Sequence, residues 1–483
     1  MPSPRAARAR GRLRSPPGAR TRWSPCGAPY RRGPPRPSRG APVSWAALRA
    51  DALACHAAAL AAVEPGRLVA RSLERAGGAL RLRGRSGAPV AEHAGRVLVV
   101  GAGKAALAMA RAAAEILGGA CAGGLVIVPH GGAGPCPGGI EVATGAHPVP
   151  DAAGEAATAR LLAAVAAADA ATLVLVVLSG GASSLLVAPA AGLGLADKQA
   201  LGARLLASGA DIAEVNVVRK HCSRVKGGGL ARQAARAAGL WTLVLSDVVG
   251  DDPATIASGP TVADPSTFRD AAAVLARYLA PEDVPAAVRD HIERGSAGAV
   301  PDTVKPGDPA LARAATVIIG GNRDAVAAAA AAARARGYAA EIVVEPLGGH
   351  AARAGRALAA RLRAAHGGPR AVIAGGETTV RVRPGGRGGR AQQLALAAAV
   401  ALEGEPCALL AAGTDGVDGP TDAAGACVDG GTVARARARG FDPAAALAAT
   451  DSHPLLDATG DLLRTGPTGT NVADLVVALR AAC

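Results

Sequence analysis

The chain has 483 residues, half of them apolar and 19% charged, with 64 glycines and 34 prolines. That length buries a substantial core without staples, and none of the eight cysteines forms a CxxC pair, which excludes zinc ribbons and dense disulfide frameworks and suits a reducing, cytoplasmic compartment. The formal charge of +15 arises mainly from residues 1–50, which hold 12 of the 53 basic residues and no acid, leaving 41 basic against 38 acidic; with only 2% aromatics, a nucleic-acid surface is excluded. No uncharged apolar run approaches about 18 residues, so no membrane span is expected. Residues 1–42, built from Pro, Arg, Gly and Ser, read as a disordered tail. In a eukaryote the same composition would suit a mitochondrial transit segment; otherwise it is an unstructured extension of a GC-rich gene.

From Ser44, a plausible N-cap, a helix is expected to about Val63 with Leu48, Leu53 and Leu60 on one side. Uninterrupted apolar runs then alternate with Ala-rich helical stretches: Arg96–Val100, Gly124–Val128, Ile140–Thr144, Thr172–Leu178, Trp241–Ser246, Thr316–Ile319, Ala340–Glu345, Arg370–Ala374 and Cys407–Ala412. Strands apolar on both faces with helices between them imply an α/β fold, two Rossmann-like domains with largely parallel sheets and an active-site cleft between them. The Pro-rich segment around Ala280–Pro309 suggests an N-terminal domain over 43–290, a linker over 291–309 and a C-terminal domain over 310–483.

In such sheets ligands bind beyond the carboxyl ends of the strands. The first such loop, Gly101-Ala-Gly103-Lys104, lets backbone amides approach an anion and adds a point charge. It matches the dinucleotide fingerprint through Gly101, Gly103 and Ala106, but no acidic residue follows the next strand. Ser179-Gly180-Gly181-Ala-Ser183-Ser184 mixes glycines and hydroxyls, as an anion cradle does. The cluster from Asn216 to Gly229 carries Arg219, Lys220, Arg224 and Lys226. Asp247 at a strand end suits Mg²⁺, which takes one or two carboxylates plus phosphate oxygens, while Asp251 and Asp252 read as caps. In the second half, Asn322, Glu377, Thr378, Arg390 and Asp415 occupy equivalent loops. Six loops of this kind point to a phosphate-handling cleft. No GxSxG elbow or HExxH is present, and His147 and His221 read as structural.

The stretches Gly101–Ala105, Gly145–Asp151, Ser179–Ser184, Asp197–Gln199, Asn216–Gly228 and Ser246–Thr261 resemble the N-terminal domain of the type-2 glycerate kinases. Gly375–Thr379, Gly388–Arg390, Gly413–Ala426 and Thr465–Asn471 resemble that family's C-terminal MOFRL domain. The resemblance runs in order over about residues 43–483 and implies ATP- and Mg²⁺-dependent phosphorylation of D-glycerate to 2-phosphoglycerate. By motif match it implies catalytic roles for Lys104 and Arg390 and a functional acid at Asp247. From the chemistry, Asp247 helped by Asp415 is expected to hold Mg²⁺ or to orient the glycerate hydroxyl; no nucleic-acid or membrane partner is expected, and a homodimer is compatible with the reading. The alternatives are an NAD(P)H-dependent hydroxypyruvate reductase using the Gly101–Ala106 loop, and a non-catalytic phosphosugar-binding regulator. The family usually reads Arg-Asn-Gln-Glu where this chain reads Arg390-Ala-Gln-Gln393, and Gly at Ala182. Losing a carboxylate beside Arg390 is expected to weaken metal or substrate affinity.

Overall fold

The computed structural model describes residues 44–364 and 367–482; the tail expected over residues 1–42 lies outside them. Ser44 caps the helix Trp45–Ala62 by accepting from the Ala47 amide at 3.2 Å. The helix buries Leu48, Ala52, Cys55, His56 and Ala59, whereas Leu53 is exposed. The expected stripe is corrected for a geometric reason: five residues beyond Leu48 the chain has turned well off the buried face. By composition the stretch Trp45–Ser72 is long and apolar enough to cross a membrane, yet its buried face packs into the protein core.

Next comes an antiparallel sheet of β1 (Leu73–Ala76), β2 (Ala79–Arg83) and β3 (Pro89–His93). Gly77 and Gly78, with φ of 62° and 85°, supply the two left-handed residues that a tight hairpin requires.

The first large sheet holds β4 (Arg96–Ala102), β5 (Cys121–Pro129), β6 (Ile140–Gly145), β7 (Thr172–Leu178), β8 (Gly239–Leu245) and β9 (Ala314–Gly320). Its order is β6-β5-β4-β7-β8-β9, and every neighbouring pair is parallel. The chain builds outward from β4 to β6, then returns to β7 and builds the other way. The switch point between β4 and β7 is where ligands settle in such folds. β7 and β8 are buried along their whole length, because both sheet faces are covered.

The second large sheet holds β10 (Ala339–Ile342), β11 (Arg370–Gly376), β12 (Cys407–Gly413), β13 (Gly425–Asp429), β14 (Leu462–Leu463) and β15 (Asp474–Arg480), in the order β10-β11-β15-β12-β13-β14. The α/β class holds, but only the first of the two large sheets is parallel throughout, and the second is mixed. In the second, β10 and β11 are parallel while β15 inserts antiparallel between β11 and β12.

Strand pairing runs across the expected division at 291–309. The segment includes the end of helix Ala286–Ser296, which packs in a helical cluster with Leu205, Val218 and Phe268. β9, expected in the C-terminal domain, pairs with β8 instead. Conversely, helix Trp45–Ala62 packs on β12, β13 and β15. One continuous core runs from Val97, Leu175 and Leu243 of the first sheet to Leu410 and Val477 of the second, so loops from both sheets meet at one edge.

Candidate active site

The loops after β4 and β7 are laced together at the switch point. A Cβ at Gly101 would lie 2.0 Å from the Val177 carbonyl oxygen, and one at Gly103 (φ 133°) would lie 2.2 Å from Ser179 Oγ. Only glycine fits either position. The Lys104 amide donates to the Gly180 carbonyl at 2.9 Å, and Ser179 Oγ accepts from the Ala105 amide at 3.0 Å. Ser179 thus secures the start of helix Ala106–Leu117. Gly180 must also be bare, because a Cβ there would sit 2.0 Å from Asn471 Nδ2 and 2.2 Å from Asp247 Oδ2.

Two polar contacts then join the halves. Lys104 Nζ donates to Asp415 Oδ2 at 2.6 Å, and Asn471 Nδ2 donates to Asp247 Oδ2 at 3.2 Å. Burial pushes the Asp247 carboxyl up to about 6, and the nearby negative charge of Glu377 adds to the effect. His147 lies beside the Gly181 backbone; burial, then the Lys104 charge, hold its ring below the usual histidine value.

Arg390 opens the helix Arg390–Ala401. Its Nε and Nη2 donate to the two carboxylate oxygens of Asp474 at 2.7 and 2.9 Å, and Nη1 donates to Glu377. This bidentate pairing fixes the guanidinium plane. Burial raises the Asp474 carboxyl to about 7 despite the Arg390 contact. Asp418, also raised by burial, accepts from the Ala391 and Gln392 amides at 3.0 and 2.8 Å and so anchors the helix start.

The structure therefore brings Lys104, Gly180, Asp247, Glu377, Arg390 and Asp415 into one connected group. Ser183, Arg219 and Lys226 line an adjoining cavity. Asn216 reaches Ser183 through Ser258, whose hydroxyl donates to Asn216 Oδ1 at 3.2 Å and lies 2.9 Å from Ser183 Oγ. Lys220 does not join them: it is buried and paired with Asp264 at 3.2 Å, which neutralises it within the fold. Asn322 is a brace, donating to the Val472 and Asp474 carbonyls at 2.7 and 2.9 Å. Thr378 is 2% exposed and its hydroxyl has no partner among the described residues. Asp252 caps the turn at Ala254 and Thr255, Asp251 pairs with Arg85, and His221 bonds Asp302.

Gln393 overturns the expectation attached to it. Its side chain is 2% exposed and donates to the Leu447 carbonyl at 2.8 Å. The amide therefore serves the interior of the second half, and its difference from Glu removes no carboxylate from the Arg390 pairings.

No group of three His, Cys, Asp or Glu side chains among the described residues forms a protein-only metal cage. Asp247 and Asp415 fit the smaller carboxylate set that Mg²⁺ uses when phosphate oxygens complete its shell. Burial first, and then the charge of Glu377, raise the Asp247 carboxyl, and a cation bound there would favour its ionised form.

Sequence reasoning passed over Asp474 and named Asp418 and Asn471 only within longer stretches. Asp474 lies opposite Gly376 at the end of β11 and Gly413 at the end of β12. An antiparallel β15 puts its amino end on the edge where its neighbours end. The available signal was the polar Thr465–Asn471 loop followed by the apolar run Leu475–Leu479.

A domain of unknown function, DUF4147, matches residues 51–293, and the MOFRL family matches residues 370–474. The D-glycerate 2-kinase of Thermotoga maritima is 42% identical over 394 residues, covering 80% of this chain and 90% of that protein. A protein of Agrobacterium vitis whose name provisionally assigns it as a hydroxypyruvate reductase is 44% identical, covering 79% of this chain and 86% of its own length. The crystal structure of the Thermotoga maritima glycerate kinase superposes with a TM-score of 0.77 at 39% identity, over 90% of this chain and 99% of that one. With both domains matched in order, and kinase relatives covered nearly end to end, the chain belongs to the glycerate 2-kinase family.

Proposed function

We propose that the protein transfers the γ-phosphoryl group of ATP to the C2 hydroxyl of D-glycerate, giving 2-phosphoglycerate and ADP. The observation that carries this reading is the meeting of Lys104 with Asp415 at 2.6 Å across the two halves, beside Asp247 and the oriented Arg390. Phosphoryl transfer needs positioning and charge neutralisation more than covalent help. Lys104 and Arg390 bring positive charge to the transferred group from opposite halves. Asp247, its carboxyl raised to about 6, is suited to orient the hydroxyl and accept its proton near neutral pH. Asp247 and Asp415 would hold Mg²⁺, which when bound neutralises phosphate charge.

The reductase reading loses its main support in the Gly101–Lys104 loop. Both glycines of the dinucleotide fingerprint are occupied by internal packing, against Val177 and Ser179, and no acidic residue follows β5. The test is ADP release from MgATP that depends on D-glycerate. NADH oxidation with hydroxypyruvate, in the absence of that release, would reverse the conclusion.

A further inference from the structure

Next to the Lys104 loop lies a cavity walled by the 148–150 loop, the Ser183–Ser184 turn and the helices Leu195–Ala207 and Ile212–His221. Lys198, Arg219 and Lys226 all line it. Lys226 is 4% exposed and donates to the Ser183 carbonyl at 2.6 Å and to Ser183 Oγ at 3.1 Å. Lys198 Nζ donates to the Cys222 carbonyl at 2.9 Å. Arg219 makes no side-chain hydrogen bond among the described residues, and none of the three has a carboxylate partner.

Elsewhere the sequestered cations are neutralised: Lys220 by Asp264, Arg435 by Asp429 and Asp461, Arg390 by Asp474. Withdrawing a positive group from water without a counter-charge is costly; Lys226 is so withdrawn, and with the partly exposed Lys198 and Arg219 on the same wall the cavity favours an anion from outside the chain. Burial, then the neighbouring Lys198 and Arg219 charges, already hold the Lys226 ammonium well below its usual value. A single carboxylate would leave most of that charge uncompensated. Val149 and Leu206 are exposed among the lining residues, which suits an uncharged ring better than a three-carbon acid. The position is also right: Ser183 follows Gly180, whose carbonyl binds the Lys104 amide and whose Cα faces Asp247.

We propose that Lys198, Arg219 and Lys226 bind the phosphate chain of the nucleoside triphosphate, with its terminal phosphate directed toward Lys104. The proposal rests on the kinase reading and adds Lys198 to the binding set. The test is calorimetric titration of the full chain with ADP and, separately, inorganic tripolyphosphate, in wild type, Lys198→Gln and Arg219→Gln. Both substituted residues are partly exposed, so neither is needed to fill the core. KM values for ATP and for D-glycerate are measured on the same proteins.

Each substitution is expected to weaken both ligands roughly tenfold, as loss of a charge-assisted contact does, and to raise KM for ATP while leaving that for glycerate unchanged. Unchanged ADP binding in both variants overturns the proposal, and a rise confined to the glycerate KM reassigns the cavity to the substrate carboxylate. If ADP binding depends on these residues but no phosphate reaches glycerate, the pocket stands and the kinase reading fails. If wild type turns over and the variants bind ADP normally, the pocket fails alone.

Discussion

Arg390 is held by Asp474, and replacing that carboxylate separates orientation from charge. Asp474→Asn keeps the shape, removes the negative charge and leaves one oxygen acceptor where the guanidinium now finds two. Losing one partner of a buried ion pair costs about 3–5 kcal/mol, whereas an exposed pair contributes about 0–1 kcal/mol. The side chains are 33% exposed for Arg390 and 7% for Asp474, so solvent screens the Arg390 end and the stability loss should be about 1–2 kcal/mol. Burial already favours a neutral group at this position, raising Asp474 to about 7, so the amide leaves the fold intact. Turnover should suffer more. Among the described residues Arg390 would keep only Glu377 as an ion-pair partner, at an exposed position, and a displacement of about 1 Å at a reacting group costs on the order of 10² in rate. The assay is steady-state kinetics with both substrates varied, alongside urea unfolding. A fall in kcat of about 10² with little change in KM for glycerate is expected. Near-wild-type kcat in a folded variant would refute the positioning role of Asp474.

Lys104→Ala should lose about 10²–10³ in kcat, the usual effect of deleting one charge-stabilising donor, with the fold retained in circular dichroism; normal turnover would remove Lys104 from the mechanism. If Asp247 accepts the hydroxyl proton rather than holding Mg²⁺, activity rises with pH through about 6 as it ionises, and the residual activity of Asp247→Asn lacks that limb; a flat profile there assigns Asp247 to the metal. Stability moves the opposite way. The folded state keeps the Asp247 proton through the window between the ordinary carboxylate value and about 6, so this group's contribution falls as pH rises across it. Gln393→Glu should lower stability by about 1–3 kcal/mol, because it turns a carboxylate toward the Leu447 carbonyl in a buried site. It should leave KM for ATP unchanged; a gain in MgATP affinity would show that residue 393 does reach the site.

Much of the first sheet was legible because parallel strands buried on both faces leave continuous apolar runs, such as Thr172–Leu178, with glycine-rich loops at their ends. Lys104, the Ser179–Ser184 turn and Asp247 followed from reading those ends. The same filter hid Asp474, since it sits at the beginning of an antiparallel strand that shares the edge. β1 to β3 escaped because β2 signals itself only through the alternation of Leu80 and Leu82 among arginines. Lys220 and Lys226 look equivalent in sequence, six residues apart in one basic cluster, and only tertiary packing gives one an aspartate and leaves the other facing a cavity. The direction of Gln393 was hidden for a related reason: which way a polar side chain turns is decided by neighbours distant in sequence.

The most direct test of the central claim is ³¹P NMR of the products formed by the purified protein from D-glycerate and MgATP, with no nicotinamide cofactor present. A 2-phosphoglycerate resonance growing with that of ADP is the predicted result. A 3-phosphoglycerate resonance, or ATP left intact while hydroxypyruvate is reduced with NADH, would contradict it.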